Sequence, residues 1–229
     1  MAKSSKVRPL FVLILALVLP GCGLLGDDSG PENDRAIATP SMTVSGQDGP
    51  PIEVTYFTPA QQEGPYYPIE KPADRDNDLV SLAGASGAPS GQVLNLAGVV
   101  YDAAGQPLEG ALVEIWQTDA SGVYLHPDDP GTAGRDANFQ FYGESLTGAD
   151  GVYSFRTILP GRYEPRPRHI HVKVKLDGDE LLTTQFYFAD EIKLDGQEAN
   201  LVVKMAPSED DAGDPIWVAE RDIVLRLQR

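Results

Sequence analysis

The stretch Ala111-Leu-Val-Glu-Ile-Trp-Gln117 decides how this chain is built. In an extended backbone its side chains alternate. Leu112, Glu114 and Trp116 then face one side, and Val113, Ile115 and Gln117 the other. A second stretch, His169-Ile-His-Val-Lys-Val-Lys175, reads in the same way. Residues two apart share a face of a strand, so His169, His171, Lys173 and Lys175 project together. That face is poor in apolar residues and reads as a wet or liganded surface. Further short apolar runs cover residues 93–101, 152–159, 182–188, 201–205 and 216–227. Asp102-Ala-Ala-Gly105 and Ala149-Asp-Gly151 suit tight reversals between them, because glycine accepts positive φ. Seven such runs without a long helical pattern predict an all-β fold, an antiparallel β-sandwich in one domain. Only residues 58–62 read as a short helix, capped by Thr58 with Pro59 at its first position.

Composition agrees. The chain has 229 residues, of which 23 are glycine and 19 proline, and these interrupt helices repeatedly. It carries 34 acidic against 18 basic residues, a formal net charge of −16. A nucleic-acid partner is excluded on that balance, since phosphate neutralisation needs a basic face. A single cysteine excludes an intramolecular disulfide and a four-cysteine zinc site. Metal chemistry has to come from His, Asp, Glu or Tyr, and there are three histidines and nine tyrosines. The acidic run 208–214 lacks the spacing of a calcium loop and reads as a solvated connection.

The N-terminus reads as an address. Lys3, Lys6 and Arg8 precede an apolar run from Leu10 to Leu19. Ten residues are too few to span about 30 Å of hydrocarbon at about 1.5 Å per residue. The run is instead the hydrophobic part of a secretory signal. It ends Leu19-Pro-Gly-Cys22, which resembles the bacterial lipobox and makes Cys22 the expected lipid attachment point. Residues 1–21 are then a lipoprotein signal peptide and 22–55 a flexible Gly/Asp/Ser/Pro-rich tether. Residues 56–229 form the domain. The expected location is the bacterial cell envelope, with the chain held to a membrane through its N-terminal lipid.

His169 and His171 are the first candidates for chemistry, although a His-x-His pair alone also fits satisfied strand histidines. Tyr163 lies six positions before His169, after the turn at Pro160-Gly161, and Tyr124 follows the 111–117 strand. Several segments then occur in order. They are Glu63-Gly-Pro-Tyr-Tyr67, Gly-Ala-Leu-Val-Glu-Ile-Trp-Gln117, Gly-Val-Tyr124, Asp-Gly-Val-Tyr-Ser-Phe-Arg-Thr-Ile158, Pro-Gly-Arg-Tyr163, Arg166-Pro-Arg-His-Ile-His171 and Thr-Gln185-Phe-Tyr-Phe188. A closing Arg-Asp-Ile-Val-Leu-Arg226 completes the series. Together they resemble the intradiol ring-cleavage dioxygenases, the family of protocatechuate 3,4-dioxygenase and catechol 1,2-dioxygenase.

That resemblance implies a mononuclear, non-haem Fe(III) site. Tyr124 and His169 would be its equatorial ligands, and Tyr163 and His171 its axial ones. A hard ferric ion favours phenolate donors and ionises them at neutral pH. The substrate would be a catechol, cleaved with O2 between its two hydroxyl-bearing carbons to a muconate-type diacid. Tyr163 would leave and take a catechol proton. Arg166 would stabilise carbanion character on the ring, and Gln185 would orient the oxygenated intermediate. Tyr66, Tyr67 and Trp116 would line the pocket, and His126 would stand behind Tyr124. Only five residues separate Tyr163 from His169, fewer than in the best-known members, and Arg168 stands where those usually have a small residue. Both departures bear on substrate identity. Two other readings compete. One is a non-catalytic transthyretin-like or carboxypeptidase-regulatory-like sandwich module. The other is a zinc or copper site on the His-x-His pair with idle tyrosines.

Overall fold

The structure, a computed structural model, describes residues 51–189 and 196–227, which belong to the unit Pro40–Arg229. The signal segment, Cys22 and residues 22–50 of the expected tether lie outside the described residues. In chain order the strands are β1 (Val93–Tyr101), β2 (Leu112–Trp116), β3 (Tyr142–Leu146), β4 (Val152–Ile158), β5 (His169–Leu176), β6 (Asp179–Tyr187), β7 (Lys204–Glu209), β8 (Pro215–Glu220) and β9 (Ile223–Val224). One short helix, α1 (Gly196–Ala199), stands between β6 and β7.

Two sheets make the sandwich. One runs β4-β1-β8-β7 with β9 beside β1, and the other runs β3-β2-β5-β6. The pleat sends alternate side chains inward, where Leu94, Leu96 and Val100 of β1 and Phe155 of β4 meet Val113, Ile115, Ile170, Val172, Val174 and Phe186 of the second sheet. Pairing is antiparallel with one departure: β8 and β9 lie parallel to β1. The chain's last strands therefore return beside its first by a long crossover, as a parallel pair requires.

Four local expectations change. Residues 58–62 are not helical. Thr58 N–H donates to Val224 O (2.9 Å) and its hydroxyl oxygen accepts Val224 N–H (2.9 Å), Gln61 N–H donates to Thr183 O (2.9 Å), and Thr184 donates its hydroxyl to Pro59 O (2.8 Å). Those distant partners replace the internal bonds of a helix too short to hold itself. β3 has no counterpart among the apolar runs, because its inward positions, opposite Val113 and Ile115, are Ser145 and Gly143. A Cβ on Gly143 would stand 2.5 Å from Leu79 Cδ1, so no apolar side chain marks the alternation. Residues 216–227 split into β8 and β9 where Asp222 Oδ1 accepts Val99 N–H (2.9 Å). The β7 strand begins at Lys204 and runs to Glu209, so it shifts past 201–205 and takes up part of the acidic run 208–214. Residues 201–203 instead flank Tyr187 through two backbone bonds.

From Ile52, whose N–H donates to Gly105 O (3.1 Å), the chain is already attached, inside the stretch expected as tether. It then forms a strap. After Thr58 it crosses the outer face of the β3-β2-β5-β6 sheet and reaches β4, where Leu79 N–H donates to Arg156 O (2.8 Å).

Candidate metal centre

The strap covers the face expected to be wet or liganded. Register places Trp116 of β2 opposite His171 and Glu114 opposite Lys173, and places Tyr187 and Gln185 of β6 opposite His169 and His171. All of these point outward from the sandwich core, yet all are buried. Lys173, only 5% exposed, pairs with Glu63 of the strap and with Glu180 (3.1 Å). Glu114 is fully buried and accepts from Lys71 (2.8 Å), Lys175 (2.8 Å) and the Tyr67 hydroxyl (2.8 Å). Burial pushes the Glu114 carboxyl up, but those three donors outweigh it and hold the group below its ordinary value. Lys173 therefore belongs to a buried ion-pair layer, and Lys175, half-buried, closes its edge through Glu114.

At one end of this layer three donor atoms converge. Tyr124 Oη, His169 Nε2 and His171 Nε2 form a triangle with every edge 3.1 Å. His169 Nδ1 lies 2.6 Å from Pro167 O. A carbonyl only accepts, so Nδ1 carries the hydrogen and Nε2 turns a lone pair inward. Tyr124 brings one proton, and His171 can bring one more. Three edges therefore share at most two hydrogens, and lone pairs face each other across what remains. A cation at the centre satisfies all three donors at once, so the residues fit a metal ion. Burial also keeps both imidazoles neutral, lowering His169 to about 4 and His171 well below its ordinary value. Burial raises the Tyr124 phenol, which a bound cation would reverse. Among the described residues no three His, Cys, Asp or Glu side chains stand together as a metal site, and the third atom of this triangle is a phenol.

Two loops bring the tyrosines there. Asp119 Oδ1 accepts the N–H groups of Ser121 (2.8 Å) and Val123 (3.2 Å), closing a turn with Gly122 at φ +87°. A Cβ on Gly122 would meet Arg162 O at 2.1 Å, and one on Gly161 would meet Gly122 N at 2.3 Å. The two loops touch because both residues are glycine. Asp129, itself buried, accepts Tyr124 N–H (2.9 Å) and Gly131 N–H (2.7 Å), fixing the backbone that carries the phenol.

Tyr163 joins the aromatic cluster, its ring 5.8 Å from that of Tyr124, but its hydroxyl donates to Tyr66 Oη (3.2 Å) rather than entering the triangle. That bond, with burial, raises the Tyr66 phenol to about 12. Of the expected pocket walls, Tyr66 lies beside Tyr124 (5.1 Å between rings). Trp116 and Tyr67 stand behind His171 instead, in an aromatic stack. His126 is buried behind Tyr66, its Nδ1 accepting Asp128 N–H (3.1 Å). Arg166 donates to Gln185 Oε1 (3.0 Å) and Tyr187 Oη (3.1 Å), with Glu198 at 3.8 Å. Tyr187 and Glu198 were not among the sequence candidates. Tyr187 was within reach, since it lies two residues from Gln185 on the same face and opposite His169. Glu198 sits on a four-residue helix that no periodicity marks.

A family model described as Dioxygenase matches residues 62–225. The protocatechuate 3,4-dioxygenase beta chain of Burkholderia cepacia is 40% identical over 137 residues, covering 56% of this chain and 57% of that one. The catechol 1,2-dioxygenase of Acinetobacter baylyi is 35% identical over 152 residues, covering 58% and 46%. The chain thus spans about half the length of these curated relatives. Among solved structures, the dioxygenase domain of a dioxygenase–carbohydrate-binding protein fusion from Streptomyces sp. SirexAA-E superposes with a TM-score of 0.60 at 33% identity, over 76% of this chain and 100% of that one. A catechol 1,2-dioxygenase from an Acinetobacter species gives 0.58 at 28% identity, over 75% and 63%.

Proposed function

Because the chain belongs to the intradiol ring-cleavage dioxygenase family, we propose that it opens the ring of a catechol with O2 between the two hydroxyl-bearing carbons. The product is a muconate-type diacid. Tyr124, His169 and His171 hold one ferric ion, with Tyr163 as the fourth donor. The observation that carries this reading is the 3.1 Å triangle of Tyr124 Oη, His169 Nε2 and His171 Nε2. A sandwich that only binds has no use for a buried phenol locked between two neutral imidazoles, and a His-x-His site would leave Tyr124 outside.

A bound ferric ion would supply a Lewis acid that ionises phenols and draws electron density from the substrate ring. The remaining chemistry belongs to the chain. Tyr163 Oη donates to Tyr66 Oη (3.2 Å) at the edge of the donor cluster, and as the phenolate that a bound ferric ion would make of it, it would take a catechol proton. Gln185 is fixed at both ends of its amide: Nε2 donates to Gln62 O (2.7 Å), and Oε1 accepts from Arg166 and from Tyr187 Oη (2.9 Å). That clamp holds the Arg166 guanidinium beside His169, where its charge stabilises carbanion character. The strap lies over the outer face, where His169, His171 and Gln185 are buried from water.

Colour tests the ligand set. Phenolate on Fe(III) gives a visible charge-transfer band, so the iron-loaded chain is expected to be red-brown. A colourless protein with stoichiometric iron would contradict it. Oxygen uptake with catechol, protocatechuate and hydroxyquinol then assigns the substrate, and the arginines at 162, 166 and 168 favour a carboxylated ring. Lipid attachment at Cys22 and a place in the cell envelope belong to the same proposal. The mass of the mature chain checks them.

A further inference from the structure

We propose that Trp116 is the positioning residue of His171, and that its stacked face does for this imidazole what a hydrogen bond does for His169. The inference rests on the reading of the triangle as a metal site.

The two histidines lie two residues apart on one strand but are held differently. His169 is oriented through Nδ1–H to Pro167 O at 2.6 Å. His171 Nδ1 is buried and has no hydrogen-bond partner. Metal-binding imidazoles ordinarily donate that second N–H to an oxygen, which fixes both ring and tautomer. The His171 ring lies instead against the Trp116 indole, centroids 4.7 Å apart and planes 9° from parallel. On the strap side Gly64, at φ +77°, comes so near that a Cβ would stand 3.3 Å from His171 Cε1.

Trp116 is held by rings and charge, since its own Nε1 is buried without a partner. Tyr67 meets it edge-on (4.9 Å, 86°), and the Lys173 ammonium lies 4.2 Å from the Tyr67 ring centre and 5.9 Å from that of Trp116. Lys173 is fixed by Glu63 and Glu180. A row therefore runs Lys173–Tyr67–Trp116–His171, and β2–β5 register sets its last contact.

A stack fixes the plane of a ring but not a half-turn about Cβ–Cγ, which exchanges Nε2 with Cε1. In the metal-free chain only the contacts of its Nε2 with Tyr124 Oη and His169 Nε2 (3.1 Å each) hold His171 against that half-turn, whereas His169 is held at Nδ1 as well. A bound cation selects the orientation with Nε2 inward.

The test uses the full chain with Trp116→Phe, which keeps a ring in the slot, and Trp116→Met, which fills it without one. Iron affinity is read by chelator competition, the charge-transfer band by absorption, and the His ring nitrogens of metal-free protein by 15N NMR. Trp116→Met is expected to weaken iron roughly 10–100-fold, the range for partners behind a ligand. It should also shift the band and broaden the His171 ring signals while His169 stays sharp. Trp116→Phe should recover most of the affinity. Equal iron affinity and unchanged spectra in both variants would overturn the positioning role while leaving the metal site standing. A parent chain that takes up no iron overturns both. Should Trp116→Met fail to fold, Tyr67→Leu loosens the row one contact back and is expected to shift the same band. An unmoved band there overturns the role equally.

Discussion

The two faces of the β3-β2-β5-β6 sheet are built from alternate residues of the same strands and are about equally buried, yet they hold by different means. Inward, Val113, Ile115, Ile170, Val172, Val174 and Phe186 pack with side chains that have no polar groups to satisfy. Outward, Glu114, Trp116, His169, His171, Lys173, Gln185 and Tyr187 are hidden from water by the strap. Burial does not separate the two faces; satisfaction of polar atoms does. Every charge on the outer face has a partner, from Lys71–Glu114–Lys175 to Glu63–Lys173–Glu180. Among these outward residues the donors and acceptors fail to match at the triangle and at the ring nitrogens of His171 and Trp116 behind it. The mismatch is where a ligand is needed.

Tyr124→Phe breaks the comparison hardest. It removes one of three donor atoms and leaves the packing in place. Turnover and the visible band should disappear, and iron affinity should fall by more than the roughly 10–100-fold that a supporting partner is worth. Urea unfolding of the metal-free chain should hardly move. Oxygen uptake at the parent rate would remove Tyr124 from the ligand set.

Phe186→Ala is the mirror experiment on the inner face. Emptying a fully buried aromatic site costs about 3–5 kcal/mol of stability. The folded fraction should keep its band and its iron. Loss of iron at unchanged stability would show that the faces are not separable.

Glu114→Gln sits between these two. Removing one partner of a buried pair costs about 3 kcal/mol, because Lys71 and Lys175 lose a shared anion. Adding Lys175→Met to it should recover part of that loss in a double-variant cycle, since one cation left without its partner is gone.

The inner face was the more legible one. Alternation in 111–117 and 169–175 gave the strands, their faces and the adjacency of His169 and His171, because period two is local. The rest depends on contacts local reading cannot reach. β3 is hidden because its inward residues are Ser145 and Gly143, the second of which admits Leu79. Gly122 and Gly161 look like ordinary turn residues until their loops are seen to touch. The charges of the strap and of Lys173 and Lys175 are visible, but Glu63 finds its partner 110 positions away. A polar strand face with unknown partners reads as wet.

Acidity separates the faces most finely. Burial alone would raise the Glu114 carboxyl, but bonds from Lys175, Lys71 and Tyr67 hold it below 4.5 in the folded chain. The fold thus binds fewer protons there than the unfolded chain. The pairing is at full strength above about pH 4.5 and is lost as pH falls through the lower, folded value. Lys71 behaves oppositely: burial would lower it, but Glu114 and Glu144 hold it above 10.5, so its share is lost as pH rises through the folded value. Between those limits the strap's attachments are at full strength. The stability difference between parent and Glu114→Gln should be constant through neutral pH and shrink below pH 4.5, as the parent carboxyl also becomes neutral. The difference between parent and Phe186→Ala should not change with pH, because no group on the inner face titrates. Unfolding curves at pH 7 and pH 3 for the three proteins decide it. A Glu114→Gln difference as large at pH 3 as at pH 7 would mean that shape, and not charge, holds the strap over the site.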